Sequence, residues 1–225
     1  MKKAGVNSDR TQKLILRHAM AEFAIKGYDG ARVDSIARRC GLSKNMLYHY
    51  FGSKEGLFIA VLEDAYETFR ADQQDIEIRS TDPVEAMQRL IAHTFFALLE
   101  NQKFIALLNS ENLHKGRHIR RSRVIRSLYN PLITTISEIL QKGAAQGVFR
   151  TNLDPVHLYV SLSALAYHYI SNQYTLNMAL GIDLMTRKHQ AAWLTYITDL
   201  ILGYCCAKAA KKTTRRQLSA RPIMA

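Results

Sequence analysis

Cysteine is scarce in this chain and cannot build a framework: Cys40, Cys205 and Cys206 are an odd set, two of them adjacent. That usage argues against a disulfide-stapled extracellular fold and fits a reducing, cytoplasmic setting. No apolar run approaches the ~20 residues that a membrane-spanning helix needs. Lys2–Asp9 is too polar to resemble a signal peptide. Neither a membrane partner nor secretion is expected. Strand-length alternation between turn signals is missing, as is any internal repeat. So are the common catalytic patterns: there is no glycine-rich phosphate loop, no G-x-S-x-G, no H-E-x-x-H and no well-set Cys–His pair. An enzyme is not expected, nor a cofactor or metal. The chain reads as all-α.

What is present centres on 33–54, VDSIARRCGLSKNMLYHYFGSK. Ile36 and Ala37 face inward on one short helix, and Gly41 is the left-handed residue that stops it. Ser43 is a good N-cap for a second helix from Lys44 to about Phe51. Leu47 and Phe51, four apart, share the face that packs on the first helix. The opposite face then carries Lys44, Asn45, Tyr48 and His49, all able to hydrogen-bond. Ser53 caps the next helix and brings Lys54 into its first turn. This is a helix-turn-helix furnished for the edges of base pairs. Charge agrees. Residues 1–54 hold 11 Lys/Arg against 4 Asp/Glu, and 208–225 hold 6 against none, whereas 55–207 hold 14 against 15. A basic excess over the motif is the electrostatic footprint expected for DNA.

These residues resemble the N-terminal domain of the TetR family of one-component transcriptional repressors. The likeness is carried by Ile15, Leu16, Ala19, Phe23, Gly27 and Tyr28, then by IARRCGLSKNMLYHYFGSKEGLF at 36–58. It covers the first quarter closely; only the general helical plan extends to the rest. One position departs: Val33 stands where the family often has a hydroxyl that bonds a phosphate. The resemblance implies that Lys44, Asn45 and Tyr48 reach bases, with His49 near bases or backbone. It implies that Ser43, Tyr50 and Lys54 hold phosphates. Met46 could touch a thymine methyl or simply fill a gap. The N-terminus of the helix that Lys54 opens would also favour a phosphate through its N–H groups.

The domain reading is a helix-turn-helix domain over 1–53, with 1–9 a flexible basic arm, a helical ligand-binding and dimerisation domain over 54–207, and a basic, disordered tail over 208–225. Ile15, Ala19 and Phe23 predict a buried stripe on a first helix ending at Gly27. A fourth helix from Lys54 towards Ile76 is long enough to belong to both halves. Asp82–Pro83 and Asp154–Pro155 are cap-plus-proline signals, opening helices to about Asn101 and Ala179. Between them come a segment at 104–113 and one long helix from about Ile119 to Gln146, kinked at Pro131. A last helix runs from about Leu184 to Ala207.

Residues 156–170 and 189–204 are apolar around most of their circumference and need cover on all sides. A second copy can supply one wall, so a homodimer through four helices is expected, as the resemblance also implies. A small-molecule effector would enter among the later helices, with candidates Phe104, Asn109, Asn112, Tyr129, His168, Asn172 and Gln173. That mixture suggests a small, planar, polar heterocycle. His168 and Asn172 are four apart on an apolar helix, either bonded to a neighbouring helix or turned into a cavity. His114 and His118 flank Gly116 with no ligand beside them, which favours a structural role over a metal. Lys115, Arg117, Arg120, Arg121, Arg123 and Arg126 read as a solvated face, an anion entrance being the other option. The function these point to is a dimeric repressor released from a near-palindromic operator by ligand. The alternative is a regulator without a pocket, acting as an activator or through a protein partner.

Overall fold

The computed structural model describes residues 2–74, 82–128 and 130–206. Tyr129, the far end of the fourth helix near Ile76 and the basic tail 208–225 lie outside the described residues.

Periodic burial starts in α1 (Lys2–Gly30), where Ile15, Ala19 and Phe23 are fully buried along one side. The helical backbone continues back to Lys2, through the stretch read as a flexible arm. Of residues 2–9, Gly5 is the one strong opponent of helix. At Gly27 a φ of 65° interrupts α1 where the sequence placed its end. Two short helices follow, α2 (Val33–Cys40) and α3 (Lys44–Phe51). Gly41 closes α2 at φ 67°, and its N–H together with that of Leu42 bonds the last carbonyls of the helix. The long α4 (Lys54–Gln74) then runs from this head into the body.

The body consists of α5 (Pro83–Glu100), α6 (Gln102–Leu113), a 3-10 turn (Ile119–Arg121), α7 (Arg123–Ser127), α8 (Asn130–Ala145), α9 (Pro155–Ser171), α10 (Gln173–Leu180) and α11 (Arg187–Cys205). Among the described residues there is no strand ladder, only an isolated bridge between Phe149 and Cys206. Asp82 and Asp154 cap α5 and α9, accepting from the N–H groups of Val84 and of Val156 and His157. α5 packs on α8, α9 and α11, while α1 packs on α4 and α6. Head and body therefore share one continuous apolar core.

Three boundaries differ from expectation. The stretch 119–146 is not one kinked helix but the 3-10 turn, α7 and α8. Ser122 starts α7 as its N-cap, accepting from Ile125 N–H, and Pro131 sits in the first turn of α8. The helix expected over 154–179 divides at Asn172, which ends α9 and begins α10. The last helix starts at Arg187 because Thr186 caps it through His189 N–H.

Candidate nucleic-acid interface and ligand cavity

α3 is held to the head by a single fully buried residue, Leu47, at 1% exposure. Lys44, Asn45, Met46, Tyr48 and His49 are all exposed, so five side chains of one helix face solvent together. Met46 is among them, which favours contact with a ligand over gap-filling. Ser43 caps the helix, its hydroxyl accepting from Met46 N–H at 3.3 Å. Asp34 on α2 pairs with Lys44 at 3.1 Å, and this bond, with Asp34's charge, raises the Lys44 pKa. The same ammonium lies 5.9 Å from the Tyr48 ring centroid. Tyr50 is half-buried between His49 and Phe51. Val33, the departure from the family pattern, is buried in the core.

Lys54 turns back onto the head. Its Nζ donates to the Asp29 carbonyl at 3.2 Å and lies 4.9 Å from the Tyr28 ring centroid. Burial and the nearby Arg32 lower its pKa. An ammonium has three donors, so this contact leaves capacity for a phosphate. Gly56 fixes how closely α4 approaches α3: a Cβ there would meet the Phe51 carbonyl oxygen at 2.1 Å. Beneath the head, Glu22 is 1% exposed and gathers Lys26 at 2.7 Å, Arg39 at 3.3 Å and the Ser35 hydroxyl. Burial alone would raise its pKa, but these partners and the Arg32 N–H bring it below the ordinary value.

The joint between head and body is aromatic and ionic. Tyr28, Phe58 and His118 meet ring to ring, His118 lying 4.4 Å from Tyr28 and 4.9 Å from Phe58. His118 is fully buried, with Nδ1 2.6 Å from Glu111 Oε2; the N–H groups of His118 and Ile119 donate to Glu111 Oε1. His114 sets Nδ1 2.7 Å from the Ser110 carbonyl and Nε2 3.1 Å from Asp29 Oδ2. Both ring nitrogens face acceptors, which suits the imidazolium, and its pKa is raised by the Ser110 carbonyl first and by Asp29. The histidines thus work as structural ties. The carboxylate between them in function, Glu111, was overlooked in the sequence because it is brought in by the turn at Lys115–Gly116, both at positive φ. Arg121 and Arg117 reach Glu55 at 2.6 and 3.8 Å, so part of the arginine cluster ties body to head. Arg120, Arg123 and Arg126 stay exposed.

A cavity of about 310 Å³ opens among α4, α5, α6 and α9. Phe69, Leu98, Phe104, Leu108, Val160 and Ala164 make its apolar wall, and Arg70, Thr94, Tyr159, Ser163 and Tyr167 supply polar groups. Of the candidates read from sequence, only Phe104 lines it. Asn109 and Asn112 are exposed on α6 and bind the Tyr167 hydroxyl from outside. His168 is exposed and bonds Asn172 along the helix at 2.8 Å, so the pair does not turn into the cavity. Gln173 is buried but bonds the Ile170 carbonyl at 3.1 Å. The reason is rotation: α9 points Tyr159, Ser163 and Tyr167 at the cavity, one residue round from His168. Arg70, Tyr159 and Tyr167 were missed. A cation four-fifths along the otherwise apolar inner face of α4 was the available signal.

Known proteins agree with this architecture. Residues 15–61 match the family described as bacterial regulatory proteins, tetR family, and 83–201 match the tetracyclin repressor-like C-terminal domain. The HTH-type transcriptional repressor NicS of Pseudomonas putida is 36% identical over 204 residues, 89% of this chain and 96% of that protein. The fatty acid degradation regulator FadR of Bacillus halodurans superposes with a TM-score of 0.65 at 19% identity, covering 85% of this chain and 94% of that one. AibR, solved with isovaleryl coenzyme A and operator DNA, gives 0.60 at 18% identity, covering 84% and 97%. At such identities the two structures speak for the fold alone. With both family domains matched and one relative alike over nearly its whole length, the chain belongs to the TetR family: it is a helix-turn-helix, DNA-binding transcriptional repressor and not an enzyme.

Proposed function

We propose that the protein acts in the cytoplasm as a homodimer on a near-palindromic operator and is released from it by a small molecule. The observation that carries the reading is α3, anchored through Leu47 alone and presenting Lys44, Asn45, Met46, Tyr48 and His49 outward. In this reading Lys44, Asn45 and Tyr48 read base edges, and Ser43, Tyr50 and Lys54 hold phosphates. Two copies of α3 enter successive major grooves about 34–36 Å apart.

Dimerisation draws support from two stripes at helical spacing. Val156 and Val160 on α9, with Tyr196, Leu200 and Tyr204 on α11, are 42–56% exposed. Apolar rows of this kind call for cover. Release draws support from the cavity, which borders the same α4 that carries Lys54. A ligand loosens DNA only in so far as it prefers the conformation with mis-spaced heads. The pocketless alternative is disfavoured by the open cavity. Among the described residues, no helix is long and apolar enough to cross a membrane.

The test is to let the full chain select fragments from its own genome, then measure their affinity against random competitor beside light scattering. A dimer with a preferred, two-fold-related sequence is expected. A lone subunit at working concentration, without preference for any fragment, would falsify the proposal.

A further inference from the structure

We infer that the effector is a small carboxylate with a flat apolar body, its charge taken by Arg70. The inference rests on the ligand-released reading above and specifies the chemistry of that cavity. Arg70 is 4% exposed, although it carries a guanidinium. One arm donates to the Tyr159 hydroxyl at 3.0 Å, and its carbon lies 5.4 and 5.7 Å from the ring centroids of Phe69 and Tyr159. It is the cation lining a wall otherwise made of aromatic, aliphatic and hydroxyl side chains. A charge already out of water attracts an opposite charge far more strongly than one at the surface, and it repels a base. The planar guanidinium presents paired N–H donors that match a carboxylate's two oxygens.

The remainder of the wall defines the body of the ligand. Phe69 and Phe104 are stacked at 4.6 Å with their planes 25° apart, giving an aromatic surface beside the cation. The Thr94 hydroxyl is committed to the Leu90 carbonyl and the Tyr167 hydroxyl to Asn109, so neither proton is aimed into the cavity. A ligand polar around its whole edge therefore finds few partners. At about 310 Å³ the cavity sits at the small end of the range of roughly 300–1,000 Å³ usual for such sites. That leaves room for one substituted ring or a short branched chain, and not for a coenzyme thioester. Arg70 and Lys54 also lie on one helix, sixteen residues apart, or about 24 Å at 1.5 Å per residue. A carboxylate that draws on Arg70 acts on the rod that carries the phosphate contact.

The experiment uses the full chain with benzoate, phenylacetate and hexanoate as acids, and benzamide and benzylamine as the neutral and cationic counterparts. Calorimetry and melting temperature report binding; a fluorescent operator reports release. The acids are expected to bind at least about tenfold more tightly than their counterparts, since hydrogen bonds to charged groups are worth roughly 1.5–3 kcal/mol. Arg70→Met should erase that preference while operator binding and a single cooperative melt persist. Arg70→Lys, which keeps the charge but loses the paired donors, should fall between and serves if the methionine variant does not fold. Equal or tighter binding of benzamide or benzylamine overturns the anion assignment, and their release of operator would leave ligand-controlled repression standing. Acid binding through Arg70 without change in operator affinity supports the site and overturns release. Failure of all three acids to bind overturns the inference.

Discussion

The head and the body recognise their partners by opposite means. α3 carries its recognition groups outside, on a helix with one fully buried side chain, where water solvates them until DNA replaces it. The cavity carries one charged group inside, on α4, where water is excluded and the apolar wall sets the shape. Long-range attraction and a register of several modest contacts suit a polyanion that is always available. A single desolvated charge suits a scarce small molecule, because each missed contact is costly there. Between them lies a joint of rings and ion pairs, Tyr28, Phe58, His114, His118 and Glu55, in which neither strategy dominates.

The contrast can be broken most severely at Gly56. Alanine there would place a Cβ 2.1 Å from the Phe51 carbonyl oxygen, so α3 and α4 must part. Overpacking against backbone costs about 3 kcal/mol or more. Gly56→Ala should abolish specific operator binding and lower the melting temperature, whereas an acid bound in the cavity should still be detected by calorimetry. Next in size are Lys44→Ala and Tyr48→Ala. Each is expected to weaken the operator roughly ten- to hundredfold while leaving random duplex nearly unchanged. Equal losses on both duplexes would make them backbone contacts. Lys54→Ala should weaken every duplex alike and reduce the slope of log affinity against log salt by about one. A loss confined to particular operator bases would contradict its phosphate role.

The smallest expected effect concerns the joint. The pKa of His114 is raised in the folded chain, by the Ser110 carbonyl and by Asp29. Its stabilisation is complete below the ordinary histidine value of about 6.5 and is lost as pH rises through the raised value. Melting temperature should therefore drop on going from slightly acidic to slightly alkaline buffer, and Asp29→Asn should flatten that drop. An unchanged pH profile in Asp29→Asn would remove Asp29 from the account.

How legible these regions were follows from the same contrast. The head is local: Gly41, Ser43, Leu47 and the Asp82 and Asp154 caps act within a few residues, and their positions in the chain announce them. The cavity is not local. Its walls come from α4, α5, α6 and α9, and which side of α9 faces it depends on a rotation that the nearly all-apolar run 156–170 does not specify. His168 and Asn172 attracted notice as polar groups in an apolar helix, yet they satisfy each other at the edge. Arg70 drew none because α4 is mixed in character along its length. The long helix expected over 119–146 failed for a related reason. Arg120, Arg121, Arg123 and Arg126 suit a helix, but Ser122 turns the backbone to cap a new one.

One consequence of α3 remains. The residues that seat it, Ser43, Leu47 and the neighbouring Gly56, are a different set from those that point outward, Lys44, Asn45, Met46, Tyr48 and His49. Vocabulary and grammar are therefore separable: the outward set can be rewritten without repacking the scaffold beneath it. A library varied at those five positions should yield folded proteins in most members, each retargeted to a different half-site while answering the same chemical signal.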